Sequence, residues 1–199
     1  MKTLIYNQQR TVISRLLLML LTLSLSFLVL QVNAQTAMKI APGSQIKVNG
    51  TSNIHDWTMA AGSFNSEARI TLKQNQVQDI TGLTFVLPVK NLKGKEDLLN
   101  SRAHKALKAD QHNQIVFKLL SAEPAGKTIK ASGNLTIGGV TKEIPMTVNY
   151  QVNADESVSI TGDKKLKMSD YKISPPSFMM GALKVADEVT VSLNLKFIK

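Results

Sequence analysis

The sequence predicts an all-β domain. About eight or more antiparallel strands would each hide one face, in a sandwich or in a closed barrel, beside one short amphipathic helix. Three observations predict this. Long runs alternate apolar and polar residues, turn signals separate the runs, and a single stretch switches to helical spacing.

Alternation is clearest in three runs. In TIKASGNLTI, Ile129, Ala131, Gly133, Leu135 and Ile137 share one face; Lys130, Ser132, Asn134 and Thr136 share the other. In EIPMTVNYQV, Ile144, Met146, Val148, Tyr150 and Val152 point one way. In DEVTVSLNLKF, Val189, Val191, Leu193, Leu195 and Phe197 line up against Thr190, Ser192, Asn194 and Lys196. One dry and one wet face per strand is the habit of antiparallel sheets. Weaker runs are SQIKVNG, SEARITLK, LTFVLPVK, QIVFKLL and SVSITG. Turns are signalled at Pro42-Gly43, Gly82, Pro124-Ala125-Gly126 and Asn153-Ala154-Asp155. Gly138-Gly139, between two long runs, predicts a tight hairpin. KEDLLNSRAHKALKAD breaks the pattern. Leu98, Leu99, Arg102, Ala103, Ala106 and Leu107 recur at helical spacing, with Glu96 and Asp97 opening and Lys105 and Lys108 closing, which suits the helix dipole.

The N-terminus reads as a leader. A basic stretch with Lys2, Arg10 and Arg15 precedes the apolar run Leu16 to Val32, and Val32-Asn33-Ala34 supplies small residues for cleavage. The expectation is a signal peptide over 1–34, export to the periplasm or beyond, and a mature domain over 35–199. That domain has no cysteine, so its stability rests on packing and hydrogen bonds. The chain carries 24 basic and 14 acidic residues; without the three basic leader residues the balance is +7. The lysines are spread through alternating runs, with no basic cluster or aromatic platform, so nucleic acid is not an expected partner.

The chain's single tryptophan lies in GTSNIHDWTM, beside His55 and Asp56. An enzyme reading would make His55 a base oriented by a carboxylate. Neighbours on a strand point to opposite faces, however, which groups His55 with Trp57 and Met59 and sets Asp56 opposite. The plainer reading is a strand whose Trp57 packs in or near a barrel mouth. No nucleophile completes a triad there. His55, His104 and His112 lack metal-site spacing, no G-x-S-x-G elbow is present, and no phosphate-binding glycine loop is present, so no metal, cofactor or catalytic residue is expected. Phe64, Phe85, Phe117, Tyr150 and Trp57 would fill either a solid core or the wall of a tunnel. Phe178 and Met180, with Met179 between them, stand in the loop SPPSFMMGALK, too apolar for a plain solvent loop.

Several segments together resemble one family. Thr51-Ser52-Asn53-Ile54 running into Trp57, then Ala61-Gly62-Ser63-Phe64, resembles its first paired strands. ASGNLTIGGVTKEIPMTV resembles its G-x-L-T-[IL]-x-G-V-T hairpin, and MSDYKISPPSFMMGALKVADEVTV its D-[FY]-x-I stretch and closing strand. SRAHKALKAD followed by QIVFKL resembles its central helix and next strand. The family is the YceI-like proteins. The resemblance implies an extended, lipocalin-like antiparallel β-barrel, exported and holding a long apolar chain such as a polyisoprenoid. On that reading Trp57, Phe64, Phe85, Phe117 and Tyr150 line the tunnel, and His55, Phe178 and Met180 sit at its mouth. The expected partner is a long-chain lipid or isoprenoid, with transient membrane contact and, as in some relatives, a homodimer. The rival readings are a hydrolase or metal protein built on His55, and a packed barrel that binds a partner on its outer face.

Overall fold

Alternating runs this long leave every strand with a dry face to hide, and the chain hides them by closing a ring. The computed structural model describes residues 35–178 and 181–199. Residues 1–34, where a signal peptide is expected, and Met180 therefore lie outside the described residues, and Phe178 enters only as backbone. In chain order the elements are β1 (Thr36–Ile40), β2 (Gln45–Ser52), β3 (Trp57–Ala61), β4 (Asn65–Lys73), β5 (Gln76–Pro88) and β6 (Leu92–Gly94). The helix α1 (Asp97–Ala106) follows, then β7 (Gln114–Ala125), β8 (Thr128–Ile137), β9 (Val140–Val152) and β10 (Val158–Lys167). A 3-10 turn (Met168–Tyr171), β11 (Ser177–Phe178) and β12 (Leu183–Ile198) complete the described chain.

Strands β1, β4, β5, β7, β8, β9, β10 and β12 pair in that order, all antiparallel. The ring closes where β12 meets β1, with Ile198 opposite Lys39 and Phe197 opposite Ile40. Further along, the same edge of β12 pairs with β2 from Val185 to Asn194, and β3 and β6 continue from there. Closure of the ring removes the free edges that β1 and β12 would otherwise expose over their paired residues. The three clearest runs became β8, β9 and β12, with their apolar faces inward. Gly138 and Gly139 both have positive φ, 55° and 81°, and turn the β8–β9 hairpin as a type I′ turn. The short β1, β6 and β11 were not anticipated; too few residues alternate in them to show a period.

The stretch from Gly50 to Met59 departs from the sequence expectation. It is a hairpin, not one strand. Gly50 pairs with Trp57, and Asn53 to Asp56 make the turn. Ser52 drives it: its hydroxyl accepts from the amides of Ile54 (3.3 Å) and His55 (3.1 Å) and donates to the His55 carbonyl (2.7 Å). A serine side chain that satisfies the turn amides favours the turn over extension. Asn53 ties the turn to the start of β12, donating to the Ala182 carbonyl and accepting from the Lys184 amide, both at 2.8 Å.

One end of the ring is solid. Ile70, Val158 and Phe197 are 0% exposed there and Met38 is 1%. Tyr150 packs with them and donates its hydroxyl to the Gly126 carbonyl at 2.9 Å.

Candidate ligand-binding site

The other end is hollow. A cavity of about 690 Å³ lies within the ring, inside the range of roughly 300–1,000 Å³ usual for ligand sites. Its wall comes from the inward faces of the alternating strands: Ile115, Phe117 and Leu119 of β7, Ile129, Ala131 and Leu135 of β8, Ile144, Met146 and Val148 of β9, and Val189, Val191, Leu193 and Leu195 of β12. Helix α1 lies along it through Leu98, Leu99, Ala103 and Ala106.

Glycines set the aromatic wall. A Cβ on Gly50 would collide with the Trp57 indole, and one on Gly133 with the Phe117 ring. Each ring therefore occupies the space that a side chain on the neighbouring strand would otherwise fill. Phe85 pairs with Phe117 across β5 and β7, and Phe64 backs Phe85 with ring centroids 5.2 Å apart. Of the expected tunnel residues, Trp57, Phe85, Phe117 and His55 line the cavity. Phe64 and Tyr150 do not: Phe64 stands behind Phe85, and Tyr150 belongs to the solid end.

Polar straps seat the helix. Asn100 Oδ1 accepts from the Gly94 amide at 2.6 Å, and His104 Nε2 donates to the Leu92 carbonyl at 2.8 Å. Gly94 leaves room for Leu99, since a Cβ there would lie 2.6 Å from Leu99 Cδ2. The cavity reaches the surface where its lining residues are exposed, at His55, Asp56, Lys95, Glu96, Leu98 and Lys167. These charges are mixed in sign. His55 Nδ1 donates to the Asp56 carbonyl at 2.9 Å, not to a carboxylate. The histidines are apart: His104 holds α1, and His112 covers Gly139. Among the described residues no three metal-ligating side chains converge.

The wall has a seam. β9 and β10 pair only from Asn149–Thr161 to Val152–Val158, and beyond Thr161 the two strands part. Side chains bridge the gap instead of a backbone ladder. Lys164 Nζ donates to the Pro145 carbonyl at 2.6 Å, and Lys142 pairs with Asp170 at 3.4 Å.

Sequence reasoning named the stretch holding Tyr171 but not the residue. Tyr171 lines the cavity, is 2% exposed, and belongs to a cluster with Leu135 and Ile173. Burial first, and then the Asp170 carboxylate beside it, push its phenol above the usual range, so it remains a neutral donor.

A closed antiparallel ring around an apolar cavity places the protein among the hollow, lipocalin-like β-barrels. A profile of the YceI-like domain matches residues 38–197, and the chain belongs to that family. No curated protein matches the sequence significantly. Among solved structures it resembles BcnA of Burkholderia cenocepacia, at 16% identity and a TM-score of 0.65 over 77% of this chain and 95% of that one. It also resembles a polyisoprenoid binding domain from Saccharophagus degradans implicated in plant cell wall breakdown, at 14% identity and a TM-score of 0.62 over 82% and 98%. A Campylobacter jejuni YceI protein matches at 17% identity and a TM-score of 0.55 over 67% and 81%. At these identities the likeness is one of fold.

Proposed function

We propose that the protein is an exported carrier that holds an amphiphile with a long apolar tail, isoprenoid or fatty-acyl, inside its barrel and transports, stores or sequesters it in the periplasm. The observation that carries this reading is the apolar cavity of about 690 Å³ within the ring. Transfer of each methylene from water into such a space contributes about 0.8 kcal/mol, so a long tail supplies ample affinity without any chemistry at the site. The polyisoprenoid binding domain of like fold supports a lipid as the ligand. The leader pattern over residues 1–34 supports export. A single chain encloses the cavity, so the reading requires no second copy and no catalytic residue.

The mouth supports a transient membrane contact as the loading step. Ile54 is 60% exposed on the hairpin tip and Leu98 is 58% exposed on α1, beside Lys95 and Lys167 at the cavity edge. Apolar side chains flanked by lysines suit an anionic lipid surface.

Native mass spectrometry of the mature protein from its own periplasm, followed by organic extraction, tests the carrier reading. A stoichiometric lipid adduct is expected. A clean apo mass with no uptake of added isoprenoids or fatty acids overturns it.

A further inference from the structure

The hydroxyls on the cavity wall are nearly all engaged. Ser52 Oγ donates to the His55 carbonyl at 2.7 Å, Thr58 Oγ1 to Asn49 Oδ1 at 2.8 Å, and Ser66 Oγ to the Thr84 carbonyl at 3.1 Å. Tyr171 differs. Its Oη is buried and has no hydrogen-bond partner among the described residues. A buried donor left unpaired costs free energy, and a phenylalanine would fill the same apolar pocket without that cost. Nothing in the packing asks for the oxygen. Tyr171 clusters with Leu135 and Ile173, and Ile115, Phe117, Ala106 and Leu107 pack against that cluster.

We infer that Tyr171 is the polar anchor of the cavity, and that it selects long-chain ligands carrying a neutral oxygen acceptor, a carbonyl or a hydroxyl, that seats beneath the C-terminal end of α1. The inference rests on the carrier reading. The class follows from the surroundings. A phenol donates one hydrogen bond, which a carbonyl, ester or alcohol oxygen accepts. An anionic head group is disfavoured at this spot, because the neighbours are apolar and the nearest carboxylate, Asp170, is itself negative. Asp170 is paired on its outer side with Lys142. A hydrocarbon without oxygen would gain the burial but leave the phenol unpaired.

Three probes of one chain length separate the terms: hexadecane, hexadecanol and methyl hexadecanoate, each displacing an environment-sensitive fluorophore from the full mature protein. Wild type should bind the alcohol and the ester more tightly than the alkane. Tyr171→Phe should lose about fivefold to tenfold toward the two oxygenated probes and nothing toward the alkane. The ester carbonyl stretch, read by infrared difference spectroscopy, should shift to lower frequency in the wild-type complex and return in the variant. The ligand-free variant should melt no lower than wild type. Equal losses for all three probes, or unchanged affinities with an unshifted carbonyl, overturn the anchor while the carrier stands. If wild type binds none of the probes, the anchor as a selector of oxygenated long chains falls; if it also takes up no added isoprenoid, the carrier reading falls with it.

Discussion

The two ends of the barrel are made of the same strands and do opposite things. At one end, β1, β4, β10 and β12 bring the fully buried Met38, Ile70, Val158 and Phe197 into the core cluster, and none of the four lines the cavity. At the other, the continuing inward faces of β8, β9 and β12 look into a cavity. The difference lies in what completes each end. The solid end is tied by continuous backbone ladders, including the β1–β12 closure and the paired part of β9 and β10. The hollow end is spanned by a helix, a 3-10 turn and two lysine bridges, which hold the wall apart instead of drawing it in. Dense packing and open volume are therefore assigned to separate parts of one sheet.

Truncation breaks or supports that contrast most directly. Phe197→Ala removes a fully buried ring from the solid end and should cost about 3–5 kcal/mol in denaturant unfolding. Phe117→Ala removes a ring that already faces space on one side, and should cost about 1–2 kcal/mol, because that side has no packing partners to lose. Equal costs would mean that the two ends are packed alike. Ala131→Phe sharpens the contrast from the other direction. It adds a ring to the lumen side of β8, so lipid uptake should fall at least about tenfold while stability changes by less than about 1.5 kcal/mol. Full uptake by that variant would place the ligand elsewhere.

Much of the ring was legible in the sequence, and the contrast between its ends was not. Period-two alternation says which face of β8, β9 and β12 turns inward. It does not say how far along the barrel axis a residue sits. Tyr150 and Phe117 carry the same signal, and one packs at the solid end while the other lines the cavity. A hollow barrel and a full one share one binary pattern, since the void depends on how the ends are closed. The hairpin at Ser52 to Asp56 was missed because alternation was carried through a short turn that the Ser52 hydroxyl builds. Tyr171 lies in a 3-10 turn with no period to reveal it, and its significance is the lack of a hydroxyl partner among the described residues, which depends on the folded surroundings and not on local pattern.

The seam between β9 and β10 distinguishes the ends by rate. Lys164→Met keeps the apolar stem on the cavity wall and removes the donor to the Pro145 carbonyl. Stability should fall by about 1 kcal/mol at most, as expected for one hydrogen bond. Ligand exchange should quicken severalfold, with amide hydrogen exchange rising in Ile144 to Thr147 and Gly162 to Leu166 and not at the solid end. Unchanged exchange would show that the ligand passes by the His55–Glu96 rim alone.

The smallest effect is expected in acid, at the turn that joins β9 to β10 on the solid end. Asp155 accepts from the Ser157 hydroxyl at 2.5 Å and the Ser157 amide at 3.1 Å, and pairs with Lys196 at 3.2 Å. These bonds, the Ser157 hydroxyl first, lower its carboxyl from 3.8 to about 2. A carboxyl held below its unfolded value favours folding in full above that value, and its contribution is lost as the pH falls toward the folded one. The stabilisation is therefore present above pH 3.8 and gone near pH 2. Asp155→Asn should lower stability slightly at neutral pH and flatten the acid limb of the unfolding curve between those values. At the hollow end Asp187 is lowered in the same direction, mainly by the Ser169 hydroxyl at 2.5 Å, where it braces the 3-10 turn against β12. Asp187→Asn should flatten the limb similarly but also loosen the turn that carries Tyr171, so acid should release ligand more readily from that variant than from Asp155→Asn. Identical acid release from the two variants would mean that both ends loosen together, and that the barrel titrates as one unit.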